Sequence, residues 1–131
     1  MEVGLTLDTG ALIALEKRER RMKALLERAR LEGRIITVPA VVVTEWWRNG
    51  DRQTKILEAF DVEPMTERLA KIAGEALLAT PTATIADTIV MASAALRGDI
   101  VYTSDFDDLD RLHTHFKAVR KVLRVNPIKK Q

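Results

Sequence analysis

The sequence predicts an α/β fold, a three-layer α/β/α sandwich around a mainly parallel central sheet, and three observations carry that expectation. Short apolar runs alternate with longer segments of helical periodicity along the chain, the order that builds parallel strands joined by helical crossovers. Two of the short runs lead directly into an acidic residue, VGLTL into Asp8 and DIVYTS into Asp105, and open parallel sheets form their sites outside the carboxyl ends of strands. The chain has 131 residues, 47% hydrophobic and 31% charged, enough for one core that needs neither disulfides nor a structural metal.

Residues 3–7 read as a short strand, closed by a turn at Asp8, Thr9 and Gly10. One long helix is expected over ALIALEKRERRMKALLERARLEG, with Leu15, Met22, Leu25, Leu26 and Ala29 as its apolar stripe and Gly33 as its stop. Ile35 to Val38 resumes a strand, and Pro39 suits the first turn of a helix that carries Val41, Val42, Val43, Glu45, Trp46 and Trp47. Asn49, Gly50 and Asp51 precede a short helix to Ala59, after which FDVEPM reads as a brief apolar and turn segment.

A further helix begins at Met65 or Thr66, with Ala70, Ala73, Leu77 and Leu78 at helical spacing. The TPTAT loop ends on Thr84 as a cap for a helix that runs toward Leu96 and stops at Gly98. Ile100 to Thr103 is another strand, Phe106 to Phe116 a short helix or turn, and Val119 to Val125 a last strand. A single domain is expected over residues 1–131, with a flexible basic C-terminal end.

Composition excludes several functions. Without cysteine there is no disulfide scaffold, redox pair or thiolate zinc site. No apolar run reaches about 18 residues and the chain opens MEVGLTLDTG, so neither a membrane span nor a signal peptide is expected, and the cytoplasm is the expected compartment. The glycines form no phosphate-binding loop. His113 and His115 stand two apart, on different sides of a helix, and suit structural or surface roles better than a metal site.

The formal net charge of +2 does not by itself indicate a nucleic-acid partner, but its distribution is uneven. Basic residues outnumber acidic ones between Glu16 and Arg34, and none of the residues after Asp110 is acidic. These stretches could guide a phosphate backbone, and ordinary solvated helix faces account for them equally well.

Four acids remain: Asp8, Glu45, Asp87 and Asp105. Asp87 in the first turn of a helix stabilises the positive helix end by roughly 0.3–1 kcal/mol, yet it stands among apolar residues where an unpaired carboxylate is costly. Glu45 could pair with Arg48 or Arg52, but its helix also carries the valine surface that should dock on the sheet. Trp46 and Trp47 suit core or partner contact better than base stacking. Four converging carboxylates call for a cation. A hard divalent ion would let such a site receive an anionic phosphodiester, and two ions roughly 3.5–4 Å apart would fit an in-line displacement.

The segments LDTGALIAL, VVVTEWW, ATIADTIVMASAA and VYTSDFDDL, taken together, resemble a PIN-domain nuclease of the VapC toxin type, over almost the whole chain. The resemblance implies a PIN-like sandwich whose acidic pocket holds one or two Mg²⁺ or Mn²⁺ ions. Asp8 would be the central ligand, Asp87 and Asp105 ligands directly or through water, and Glu45 a ligand or water-orienting group. TSDFDDL leaves the last position open between Asp105 and Asp108, since some related chains carry Asn at the first and the acid at the second. Thr9 and Ser104 would be supporting hydroxyls.

The implied activity is hydrolysis of RNA phosphodiester bonds by a metal-activated water, leaving a 5′-phosphate and a 3′-hydroxyl. The implied partners are RNA, a small antitoxin that obstructs the pocket, and a second copy of the chain in a homodimer. The alternative expectation is a PIN-like RNA-binding or assembly module with weak or no nuclease activity.

Overall fold

The structure, a computed structural model, describes residues 2–125. Five strands, β1 (Leu5–Leu7), β2 (Ile36–Pro39), β3 (Asp61–Glu63), β4 (Ile100–Thr103) and β5 (Lys121–Arg124), form one sheet in the order β3-β2-β1-β4-β5. Every described pairing is parallel. The chain builds outward from β1 through β2 to β3, then returns to the other side of β1 with β4. That reversal leaves a crevice at the carboxyl ends of β1 and β4, the usual site of a ligand in an open parallel sheet.

Seven helices connect and cover the strands among the described residues: α1 (Thr9–Glu16), α2 (Arg20–Leu31), α3 (Ala40–Trp46), α4 (Asp51–Glu58), α5 (Glu67–Ala79), α6 (Ile85–Arg97) and α7 (Phe106–His113). The parallel register aligns Leu5 with Ile36 and Ile100, and Leu7 with Tyr102, on the face covered by α1 and α2. The same register aligns Thr6 with Thr37 and Val101 on the face covered by α6. Helix α6 is buried continuously from Thr88 to Ala94, because it packs on the sheet while α5 covers its outer side. Ala92, Ser93 and Ala94 keep that segment slim enough to lie close to the strands.

The caps follow sequence chemistry. Thr66 Oγ1 accepts from Leu69 N at 3.1 Å to start α5, and Thr84 Oγ1 accepts from Asp87 N at 3.1 Å to start α6. Gly98 ends α6 in the left-handed region at φ 70°, a conformation a Cβ would disfavour. Pro39 is the last residue of β2 and the N-cap of α3, one position ahead of the expected first turn.

Two expectations are corrected. The long helix from Ala11 to Gly33 is two helices, broken where Arg18 takes φ 60° and Glu19 caps α2 by accepting from Arg21 N and Met22 N. Good helix formers fill the break, so propensity gave no warning; tertiary contacts decide it. Arg52 donates to the carbonyls of Leu15 and Glu16, both at 2.9 Å, satisfying acceptors that the break exposes. The FDVEPM segment contains β3, an edge strand of three residues paired with β2. Asp61 and Val62 are exposed, so neither length nor alternation marked it as a strand. At the other edge β5 is shorter than the expected Val119–Val125, although both of those valines are buried.

A polar network ties α6 to the sheet. Arg97 donates to Asp99 at 2.9 Å, to Ser93 at 2.9 Å, to Thr6 at 3.0 Å and to Glu63 on the edge strand. Thr6 in turn donates to the buried Asp99 carboxylate at 2.8 Å. A Cβ on Gly4 would lie 2.7 Å from Asp99 Oδ1, so glycine makes room for this carboxylate beside β1. Removing one partner from such a pair strands the remaining charge. Asp99→Ala should therefore destabilise the fold by about 3 kcal/mol, read as a lower urea midpoint at unchanged slope.

Candidate functional site

Asp8, Thr9, Glu45, Asp87, Ser104, Asp105 and Asp108 line one cavity of about 360 Å³ at the carboxyl ends of β1 and β4. Gly10, Ile13, Thr84, Ala86 and Val90 complete its wall, and no Lys or Arg is among its lining residues. All seven polar residues singled out from sequence are thus brought together.

Each acid arrives by a different route. Asp8 leaves β1 and caps α1, its Oδ1 accepting from Ala11 N at 2.9 Å, and only 4% of the residue is exposed. Asp87 sits on the first turn of α6, three residues after the Thr84 cap. Asp105 follows β4 and precedes α7. Glu45 stands on the exposed side of α3, turned away from Val42 and Trp46, which are buried, rather than inward as its valine neighbours suggested. Its partner is Thr9, whose hydroxyl donates to Glu45 Oε1 at 2.6 Å, and not Arg48 or Arg52.

Asp105 and Asp108 both reach the cavity, but their surroundings differ. Asp108 is ion-paired with Arg111 one turn along α7, whereas Asp105 raises the pKa of both Asp8 and Asp87 by its charge. Asp105 is therefore electrostatically part of the central group, and Asp108 stands at its rim. Asp107 lies within 3.8 Å of Arg124 and does not line the cavity.

Thr103 was missed from sequence. Its hydroxyl donates to Asp8 Oδ2 while accepting from Asp105 N at 2.8 Å, so one buried side chain orders two of the acids. The register explains it: Thr6 opposes Val101, so Asp8 continues the strand line opposite Thr103. Only the β1–β4 pairing reveals that signal, and sequence supplies the strands without their neighbours. Ser104 packs against the start of α1, where a Cβ on Gly10 would fall 1.8 Å from its Oγ; that close approach requires glycine. Trp46 belongs to the core and donates through Nε1 to Glu16 at 2.9 Å. Among the described residues, neither histidine joins the cavity; His113 bonds the Val119 carbonyl at 2.8 Å, and His115 lies edge-on to Phe116.

The PIN domain family model matches residues 5–113. This chain belongs to the PIN domain family. No curated protein sequence matches it. Among solved structures, it is similar to a chain of VapBC2 from Rickettsia felis bound to a promoter DNA fragment, at 12% identity and TM-score 0.73 over 93% of this chain and 98% of that one. A toxin–antitoxin complex from Klebsiella pneumoniae is similar at 17% identity and TM-score 0.68, over 97% and 100% of the two chains. FitAcB from Neisseria gonorrhoeae is similar at 23% identity and TM-score 0.57, over 94% and 97%. At these identities the likeness is one of fold.

The electrostatics of this PIN domain are those of a concentrated negative charge. Burial pushes the Asp8 carboxyl up to about 6 from 3.8, the Thr103 and Ala11 hydrogen bonds oppose the rise, and the charge of Asp105 adds to it. Asp87 is likewise pushed up to about 6, first by burial, with Asp105, Asp8 and Asp108 adding to the rise against the Thr84 hydrogen bond. Among the described residues no three carboxylates or imidazoles already stand in a tight coordination cluster. Carboxylates that repel one another have reason to stay apart until a cation joins them. The oxygen-rich, cation-free lining fits a hard divalent ion, with Asp8, Asp87 and Asp105 as the residues that would hold it.

A carboxyl whose folded pKa is raised binds more protons folded than unfolded. Its stabilising contribution is full below about 4 and is lost as pH rises through about 6. In chelator, the wild type should therefore lose thermal stability relative to Asp8→Asn between pH 4 and pH 7. Asp8→Asn keeps a side-chain oxygen for the Ala11 cap and removes the buried charge. It should equal or exceed the wild type at pH 7 by on the order of 2 kcal/mol, with the advantage gone near pH 4. A wild type that gains stability relative to Asp8→Asn on going from pH 4 to pH 7 in chelator would contradict this electrostatic reading.

Proposed function

We propose that this PIN domain is a metal-dependent endoribonuclease, using one or two Mg²⁺ or Mn²⁺ ions, and that it is the toxin of a toxin–antitoxin pair. The observation that carries the reading is the cavity at the β1–β4 crevice. It brings Asp8, Asp87, Asp105 and Glu45 together with no basic side chain in its lining. Such a site repels a phosphodiester unless a cation intervenes. A bound divalent ion would supply charge neutralisation at the phosphate and a lowered pKa for water.

The chain's own residues have separable roles in this reading. Asp8 offers the most fixed carboxylate, held between the start of α1 and Thr103. Asp105 follows the strand end whose Thr103 hydroxyl receives its backbone N–H, and Asp87 faces both across the crevice from α6. Glu45, held by Thr9 and exposed, is placed to accept a proton from an attacking water or to orient it. Asp8 and Asp87, whose carboxyls burial pushes up to about 6, would lose their residual protons once a cation binds. No covalent enzyme intermediate is needed. By the resemblance to VapC-type nucleases, water would attack phosphorus with the 3′-oxygen leaving, which gives a 5′-phosphate and a 3′-hydroxyl.

The toxin assignment rests on likeness. The Klebsiella pneumoniae structure similar to this chain is a toxin–antitoxin complex. By that likeness an antitoxin is the expected protein partner; the resemblance to VapC-type toxins adds that it is small and covers the acidic pocket, and that the chain forms a homodimer. No helix among the described residues is long and apolar enough to cross a membrane, so membrane attachment has no support from them.

The test is cleavage of total RNA by highly purified protein with Mg²⁺ or Mn²⁺, with sequencing of the product ends and identically prepared Asp8→Asn as control. Metal-dependent cleavage absent from the control is expected. Cleavage that survives in Asp8→Asn would reject the site; none in either protein would favour a PIN-like RNA-binding or assembly module.

Thr103→Val should lower the metal-dependent rate by roughly 10- to 100-fold, because it removes the hydroxyl that orients two of the acids. The same variant should require more metal for half-maximal activity, which a titration of rate against Mn²⁺ would show. Asp105→Asn should cost more activity than Asp108→Asn, and the reverse order would move the fourth acid to Asp108.

A further inference from the structure

The acidic pocket continues past Glu45. Ile13 and Glu45 also line an adjoining depression of about 290 Å³, whose other walls are Glu16, Trp46, Arg48, Gly50 and Gln53. Arg48 is the one cationic side chain among the residues lining the two depressions. Both acids on this wall are already engaged: Glu45 Oε1 accepts from the Thr9 hydroxyl at 2.6 Å, and Glu16 Oε1 accepts from Trp46 Nε1 at 2.9 Å and from Gln53 Nε2 at 3.4 Å.

The loop that presents Arg48 is built on a buried side chain. Gln53 is only 4% exposed, and its Oε1 accepts from Arg48 N at 2.7 Å and Gly50 N at 3.4 Å. Its Nε2 donates to the Trp46 carbonyl at 2.9 Å, so the segment between α3 and α4 is fastened at both ends. Asn49 turns the chain at φ 60° between those anchors. Arg48 Nη1 donates to the Trp47 carbonyl at 2.6 Å, which directs the exposed guanidinium while leaving most of its five donors free. Another depression is lined by Arg18, Arg52 and Lys55 together with Asp51 and Ile56, so cations outnumber the single acid there.

We propose that this depression is a subsite for the phosphodiester adjoining the scissile one on a single RNA strand, with Arg48 as its phosphate-binding residue. The inference rests on the nuclease reading and assigns that site a direction: the strand enters or leaves along α3, over Glu45, toward Arg18 and Lys55. Metal neutralises only the phosphate under attack. The next phosphate still meets the field of the acidic pocket, and the Arg48 guanidinium, in the loop just past the end of α3, offsets that repulsion while forming paired hydrogen bonds to two phosphate oxygens.

The test separates binding from turnover. A fluorescein-labelled single-stranded RNA is titrated by anisotropy into the Asp8→Asn protein, and into Asp8→Asn carrying Arg48→Gln or Arg48→Lys, over a series of salt concentrations. Arg48→Gln should weaken binding at least fivefold at low salt and make the slope of log affinity against log salt shallower by about 0.7, the increment for one phosphate contact on a single strand. Arg48→Lys should keep the slope. Unchanged affinity and slope in Arg48→Gln would overturn the subsite.

If Arg48→Gln unfolds, an RNA with one uncharged methylphosphonate beside the cleavage position takes its place, and it should bind the Arg48 protein as weakly as Arg48→Gln is expected to bind ordinary RNA. Equal binding of the two RNAs would overturn the subsite by the second route. Failure of the nuclease reading would look different: Arg48-dependent binding of RNA that the unsubstituted protein does not cleave with any divalent metal.

Discussion

The structure depends on holding carboxylates together in a place that water only partly reaches. Asp8 is almost fully buried and Asp87 is half-buried, and burial is the largest cause of the raised pKa of each. Their mutual repulsion adds to that cost. The surrounding fold works against both effects, with the first turns of α1 and α6, the Thr103 hydroxyl and the Thr84 cap directed at the acids. Helix starts oppose negative charge with their own partial positive charge, so two of them at one crevice are a sensible support for anions that have no basic neighbour in the cavity.

Holding the acids at this crevice requires that α6 and β1 keep a fixed relation, because Asp87 belongs to one and Asp8 continues the other. The Arg97 network supplies that relation at the opposite end of the helix. Ser93 and Arg97 of α6 meet Thr6 of β1 and Asp99 before β4, and Glu63 extends the tie to the edge strand. Apolar packing along Ile89–Ala94 fixes the distance between helix and sheet but slides easily, whereas directional hydrogen bonds fix the register along the axis. At one end of α6 the carboxylates of Asp99 and Glu63 share the Arg97 guanidinium, whereas at the other the acids have no basic neighbour in the cavity. The contrast supports the proposal that the second cluster receives an external cation.

Much of this was legible in the sequence, and the parts that were not share a cause. The strands that end on Asp8 and Asp105, the Thr84 cap and the Gly98 stop are local signals, and the structure places them as the residue chemistry indicates. The break at Arg18 is not local: Arg, Glu and Lys all favour helix, and Arg52, far along the sequence, donates to the carbonyls of Leu15 and Glu16 that the turn frees. Strand β3 is equally nonlocal, since Asp61 and Val62 earn their strand geometry only by pairing with β2. Thr103 belongs to the same class. Its neighbour Ser104 was chosen from the YTSD run because it adjoins Asp105, but strand alternation sends Thr103 toward Asp8 and leaves Ser104 against Gly10.

Glu45 shows how the same residue can be read correctly for function and wrongly for environment. The valines around it suggested an inward helix face, yet α3 buries Val42 and Trp46 and turns Glu45 toward the open side of the cavity. Exposure suits the role proposed for it. A carboxylate that must exchange a proton with water needs solvent access, whereas one that must hold a cation needs fixed geometry and little competition from water. Asp8 and Glu45 occupy those two environments at one site, the first fastened by α1 and β4, the second by the single hydroxyl of Thr9. Thr9 and Asp8 are adjacent in sequence, so the start of α1 sets both the most buried of the acids and the exposed Glu45. A displacement of that first turn would disturb ion binding and water activation together.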